Sequence, residues 1–226
     1  MAAPANKTIG DLNGKWVMVG PEMHTLPERS TGFASAHCAM LSDPILTTAA
    51  PTLSDSPEPG LALQGVGYLT RKAVGLATVT LHVKQYTDAE GTPHIDIEQM
   101  ATGGIKGTSE HRTIDSTFRE HSDWLFGKVK ARSFFVTAES LIAKIKEELG
   151  GDEFLGKDWL EGQEEQTGPD GALHLVNWVE AEAGWTAAQV WGFQTIGGER
   201  RYARNIVVKK GDKIIELRLV YDYVPE

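Results

Sequence analysis

A single cysteine, Cys38, stands in a chain of 226 residues, which excludes an intrachain disulfide and a thiolate metal cluster. The chain also lacks any run of about eighteen consecutive apolar residues, the length a membrane-spanning helix needs. Its opening, Met1-Ala2-Ala3-Pro4-Ala5-Asn6-Lys7, has no apolar stretch of signal-peptide length. Basic residues are in deficit: 22 Lys and Arg against 31 Asp and Glu give a formal charge of -9. That balance removes the positive field by which proteins attract phosphate backbones or anionic lipid surfaces. A cytoplasmic protein follows, with no nucleic-acid partner and no stable membrane insertion; oligomeric state is left open. No Gly-x-Ser-x-Gly, P-loop or full dinucleotide fingerprint occurs, because Gly65-Val66-Gly67 lacks both the third glycine and a preceding parallel strand. His82, His94, His111, His121 and His174 fall in separate segments without His-x-His or His-x-x-x-His spacing. Neither a metal nor a cofactor is expected.

What is present is alternation. Val79, Leu81 and Val83 share one face of a strand, with Thr80, His82 and Lys84 on the other. After the Asp88-Ala89-Glu90-Gly91 turn, Ile95, Ile97 and Gln99 fall together, which makes a hairpin. Gly103, Gly104 and Gly107 mark bends, and two strands follow near 111–120 and 126–136. Thr137 can cap a helix over about 138–149, whose apolar stripe is Leu141, Ile142, Ile145 and Leu149 and which ends at Gly150-Gly151. The acidic stretch Asp158 to Asp170 reads as a solvated connection. Four further strands, Leu173 to Glu182, Thr186 to Ile196, Arg201 to Lys209 and Lys213 to Tyr223, are separated by glycine turns.

Before the first hairpin the pattern dissolves. Pro21, Pro27, Pro44, Pro51, Pro57 and Pro59 interrupt the segment from about 19 to 59, which predicts a disordered insertion whose His24, His37 and Cys38 carry no chemistry. The remainder forms one domain. Consecutive strands joined by tight turns bury their edges by curling on themselves, so the fold predicted is mostly β: an up-and-down antiparallel barrel of about eight to ten strands.

Two motifs give the barrel a relative. Leu63-Gln64-Gly65-Val66-Gly67-Tyr68-Leu69-Thr70-Arg71-Lys72-Ala73-Val74-Gly75-Leu76-Ala77 resembles the helix-turn-helix lid of intracellular fatty-acid-binding proteins. Gly14-Lys15-Trp16 is the Gly-x-Trp of the first strand in lipocalins and fatty-acid-binding proteins alike. The chain thus resembles the calycin superfamily, and it is also similar to lipocalin-like proteins of filamentous fungi. The resemblance implies a calycin-type barrel with a two-helix lid and one extra helix. It also implies that Leu61, Val66, Thr70 and Val74 face a ligand cavity, continued by Val79 and Leu81; strand parity adds Ile97 and Gln99. Arg71 and Lys72 fall on the lid's outer side, where a solubilising pair is the simpler reading. Trp16 is read either as a plug of the closed end or as an ordinary core aromatic. As a plug it would stack on Arg204 or Arg218.

The family's carboxylate clamp is where the chain departs. Arg218 and Tyr221 are three residues apart and so leave a regular strand on opposite faces, while Ile215, Leu217, Leu219, Tyr221 and Tyr223 share the apolar face. An inward arginine would have to come from Arg204 or Arg201. The leading expectation is a protein that binds a small hydrophobic molecule, lipid-, polyketide- or terpenoid-like, inside the barrel, with Tyr221, Tyr223 and Arg204 among the contacts. The alternative is an isomerase or cyclase of secondary metabolism that uses the same cavity, with a pair such as His111 or His121 beside Glu110, Glu120 or Asp123 as acid and base. A third reading, an interaction barrel, requires an interior filled by Trp124, Trp178, Trp185 and Trp191.

Overall fold

Strands that alternate apolar and polar residues bury one face by wrapping it around a lumen, and ten of them do so here. The computed structural model describes residues 1–20, 53–102 and 105–225. In chain order the elements are β1 (Gly14–Met18), α1 (Glu58–Leu63), α2 (Tyr68–Leu76), β2 (Val79–Thr87), β3 (Pro93–Ala101), β4 (Ile105–Thr113), β5 (Arg119–Asp123), β6 (Gly127–Val136), α3 (Ala138–Glu148), β7 (His174–Ala181), β8 (Thr186–Ile196), β9 (Glu199–Lys210) and β10 (Lys213–Val224). They form one antiparallel sheet in the order β4-β3-β2-β1-β10-β9-β8-β7-β6-β5, the up-and-down meander of a calycin-type barrel. The hydrogen-bond ladder stops between β4 and β5; just after β4, Ile114 forms a bridge to Ser133 of β6, and the Ser116 N–H donates to the Ser133 carbonyl at 2.9 Å.

One end of the lumen is filled. Trp16 is fully buried, donates its indole N–H to the Leu12 carbonyl at 2.8 Å, and packs against Tyr223, Tyr202 and Phe193 with ring centroids 5.1, 5.2 and 6.3 Å away. The segment before β1 plugs this end: Ile9 and Leu12 are buried, and Gln85 bonds the Leu12 N–H and the Ile9 carbonyl. Neither arginine proposed as the Trp16 partner reaches it. Arg204 stacks on Trp191, and Arg218 leaves the opposite face of β10 toward Asp158 and Gln194.

The outer face of β6 to β9 carries a second core. Thr137 caps α3 through a reciprocal pair with Ser140, and Leu141, Ile145 and Leu149 pack on Phe134, Val136, Val176 and Val190. Ile142, expected in that stripe, is 62% exposed: one residue on from Leu141, it stands about 100° around the helix from it. The 158–170 connection is likewise less solvated than its charge suggests, because Glu165 is buried in a bidentate pair with Arg200 at 2.6 Å. The strand expected near 111–120 is displaced, since β4 ends at Thr113 and the short β5 begins at Arg119.

The insertion expected at 19–59 lies mainly outside the described residues, as do His24, His37, Cys38, Gly103 and Gly104. Where the chain is described again it runs along β10: the Ser54 hydroxyl accepts from Val220 N–H at 2.9 Å, and Asp55 accepts from Arg218 N–H at 2.7 Å. This delivers α1 to the mouth of the barrel. Gly60 sits there because a side chain could not: an added Cβ would stand 2.8 Å from a Leu217 methyl. Arg71, expected to face solvent, instead fastens the two lid helices, donating to Glu58 at 2.9 Å and to the Val66 carbonyl at 2.6 Å.

His174 is buried beside Trp159, over Gly192, and burial pushes its imidazole down to about 4. The ring is therefore neutral in the folded protein at pH values where the unfolded chain would protonate it. Its contribution to stability is complete above about pH 6.5 and falls away as the pH drops toward 4, a loss on the order of 3 kcal/mol. Urea unfolding at pH 7 and pH 4.5 should show His174→Gln losing clearly less stability on acidification than the parent; equal losses would contradict this.

Candidate functional site

Above the Trp16 layer and below the lid the lumen is open, as a cavity of about 690 Å³. The lid contributes Leu61, Thr70 and Val74, β2 contributes Val79 and Leu81, and β10 contributes Leu217, Leu219 and Tyr221. Gln99 and Arg204 also line it. Three of the sequence-selected positions are elsewhere. Val66 is buried in the turn between the lid helices, and Ile97 and Tyr223 face the lumen at its filled end, in the Trp16 cluster. Trp124 and Trp185 belong to the wall, whereas Trp178 packs on the outer core, so the tryptophans do not fill the interior.

The floor of the cavity is polar and organised around Arg204. This residue on β9 is 5% exposed, and its guanidinium carbon lies 3.8 Å from the ring centroid of Trp191, its register partner on β8. Its Nε donates to the Tyr202 hydroxyl at 2.9 Å, and its Nη2 has no hydrogen-bond partner among the described residues. From the other wall, on β3 and β4, come Gln99, Glu110 and Arg112. Glu110 accepts from Gln99 at 2.9 Å and from Arg112 at 2.6 Å.

The electrostatics of this group are fixed by burial and by one another. Burial alone would drive the Glu110 carboxyl up, but Arg112 and Arg204, with the bonds from Arg112 and Gln99, hold it below the usual carboxylate value. Burial raises both the Tyr202 and the Tyr221 phenol, against the pull of Arg204. Desolvation opposes the charge on Arg204, yet the surrounding oxygens of Tyr202, Tyr221 and Glu110 more than offset it. The group thus holds two guanidinium cations against one carboxylate, with both phenols protonated. It can donate hydrogen bonds to a developing negative charge, and it has no group poised to take a proton near neutral pH.

The acid–base pair considered from sequence at His111 is not assembled. His111 is bonded to Asp96 at 2.9 Å and points outward, with its side chain 72% exposed, instead of toward Glu110. Arg201 faces away from the lumen and pairs with Asp222 at 2.8 Å. Among the described residues no group of His, Cys, Asp and Glu could hold a metal ion. Arg112, Asn177 and Gln189 were not singled out by sequence, and Trp191 was named only as a possible filler of the interior. The signal was present in part: Trp191 and Arg204 sit at inward parity, and the inward neighbours of Arg204 on β9 are Tyr202 and Ile206.

A barrel of calycin type with a two-helix lid, an apolar cavity and a cationic floor is thus the class of protein defined by fold and site. No family model matches the sequence. The probable pericyclase scpY of Mollisia scopiformis is 30% identical over 224 residues, covering 99% of this chain and 95% of that protein. The pericyclase pydY of an Acremonium species is 31% identical over 173 residues, covering 76% of this chain and 86% of that protein. The chain belongs to the family of these two fungal proteins. Among solved structures it is similar to the REP1-NXSQ fatty acid transporter, with a TM-score of 0.45 and 14% identity over 95% of this chain and 97% of that one. It is also similar to a Schistosoma mansoni fatty acid binding protein in complex with arachidonic acid, with a TM-score of 0.44 and 12% identity over 94% and 96%.

The asymmetry of the charged floor is testable. Removing Glu110 leaves two desolvated cations without their carboxylate, so Glu110→Gln should cost about 1–3 kcal/mol, discounted for its partial exposure. Arg204→Met removes a buried cation that has a donor unspent and should cost less. Denaturant midpoints that rank the two variants the other way would contradict the description of the floor.

Proposed function

We propose that the cavity is the active site of a pericyclase, which folds a polyunsaturated small molecule so that an intramolecular pericyclic reaction closes a ring. Arg204 carries this reading, together with the names of the two relatives: it is a rigidly oriented cation with an unspent N–H at the floor of an apolar chamber. Such a reaction moves electrons around a closed array of orbitals, turning π bonds into σ bonds without gain or loss of atoms. It requires neither a nucleophile nor a transferred proton. What speeds it is geometry and polarisation. The apolar walls select a folded conformer with the reacting carbons in reach, which removes most of the entropic barrier. A hydrogen bond from Arg204 to a carbonyl conjugated with one reacting component draws electron density away as the transition state forms. Trp191 and Tyr202 fix that donor in place beforehand, and the lid keeps water from competing for it.

The apolar cavity under a helical lid also supports a second reading, a carrier that binds the same class of molecule and releases it unchanged. In either case the protein is read as a single barrel domain acting in the cytoplasm, with the 19–59 segment as an insertion outside the barrel. The two readings separate on turnover. Extract from the producing organism with this gene deleted should contain an acyclic polyene, and adding the purified protein should convert it to an isomer of unchanged mass and altered retention. Arg204→Met should slow that conversion about a hundredfold or more while the polyene still binds. A polyene that binds and is recovered unchanged would establish the carrier instead.

A further inference from the structure

Three neighbouring strands place polar side chains in one register row of the cavity wall. Ser133 on β6 is paired with Asn177 on β7, and Asn177 with Gln189 on β8. All three line the cavity, in a wall continued by the apolar Val179, Ala187 and Ile206. Asn177 is completely buried, at 0% exposure. Its amide NH2 donates to the Arg132 carbonyl at 3.2 Å and to the Ser133 hydroxyl at 3.1 Å. A backbone carbonyl can only accept, so the orientation of the amide is settled, and Oδ1 is the atom left over. That oxygen has no hydrogen-bond partner among the described residues. Gln189 is oriented by the same logic: Trp191 Nε1, a donor only, is bonded to Oε1 at 3.1 Å, which makes the Gln189 NH2 the donor end of the row.

An unsatisfied buried acceptor costs folding free energy, and an isosteric leucine would fill the same space without that cost. The wall of a purely apolar chamber gives no reason to keep it. We infer that Asn177 and Gln189 form a second polar subsite, which takes a hydroxyl or N–H of the substrate. Asn177 accepts its hydrogen and Gln189 donates to its heavy atom. The inference rests on the cavity being a ligand site and specifies the ligand's chemistry. Arg204 lies two strands and two residues from Asn177, about 12 Å between backbones. The substrate is therefore bipolar: a carbonyl oxygen at one point, a hydrogen-bond donor at another, and apolar carbon between them.

Linear acids and their terminal-hydroxy analogues, in chains of eight, ten and twelve carbons, test this by titration calorimetry. In an apolar chamber the added hydroxyl weakens binding because it must leave water without a partner. With the subsite present, at least one chain length should bind about fivefold tighter when hydroxylated. In Asn177→Leu the ratio of hydroxy-acid to parent-acid affinity should invert, the gain on hydroxylation becoming a loss of similar size. Weaker binding of the hydroxy acid at every length, in the unmodified protein, would overturn the inference and leave the cavity reading standing; this comparison decides the matter even if the variant fails to fold. No binding by any of the acids would overturn both.

Discussion

A guanidinium taken out of water is the constraint around which this barrel is arranged. Desolvating a cation costs several kcal/mol unless charge and hydrogen bonds compensate it. Arg204 is compensated by the face of Trp191, the oxygen of Tyr202 and the field of Glu110, with one donor atom left over. Each compensating group brings its own requirement. Glu110 needs Arg112 and Gln99 to remain ionised in the wall, and Trp191 needs Gln189 for its indole N–H. The floor is thus a connected network whose incomplete member faces the ligand space.

The scaffold holds this floor more firmly than its roof. β7 to β9 are buried on both faces, because α3 and the segment through Trp159 cover the outside while the lumen packs the inside. The lumen below the floor is closed by Trp16 and the N-terminal plug, which keeps Tyr202 and Trp191 from shifting away from Arg204. The lid, by contrast, meets the barrel through few buried side chains, and Leu69 on α2 is 82% exposed. Rigidity where polarisation is needed, and looser packing where a substrate must enter, is the division expected of an active site built inside a barrel.

Much of the fold was legible because period-two alternation and glycine turns survive wherever one strand face is solvated, as in β2, β3 and β10. Depth along the lumen was not. Parity puts Leu81, Gln99 and Tyr221 on the same face as Ile97 and Tyr223, but only the first three stand at cavity level; alternation reports a face and says nothing of how far down the barrel it lies. The Trp191–Arg204 stack stayed hidden for a related reason. Covering by α3 makes β9 buried from Arg201 to Val208 and erases the contrast that marks an inward residue. Resemblance supplied the lid but misassigned Arg71, whose partner Glu58 lies just ahead of the lid motif quoted from sequence.

Arg204 must meet a ligand seated in the cavity through its unspent N–H. Its side-chain N–H resonances, followed by 15N-edited NMR while the reaction product is titrated into the protein, should move strongly downfield as the unspent donor engages a carbonyl. The Trp191 indole resonance should shift with them. Saturable binding that leaves both unchanged and perturbs only residues on the outer side of α2 would contradict the account and place the ligand outside the barrel.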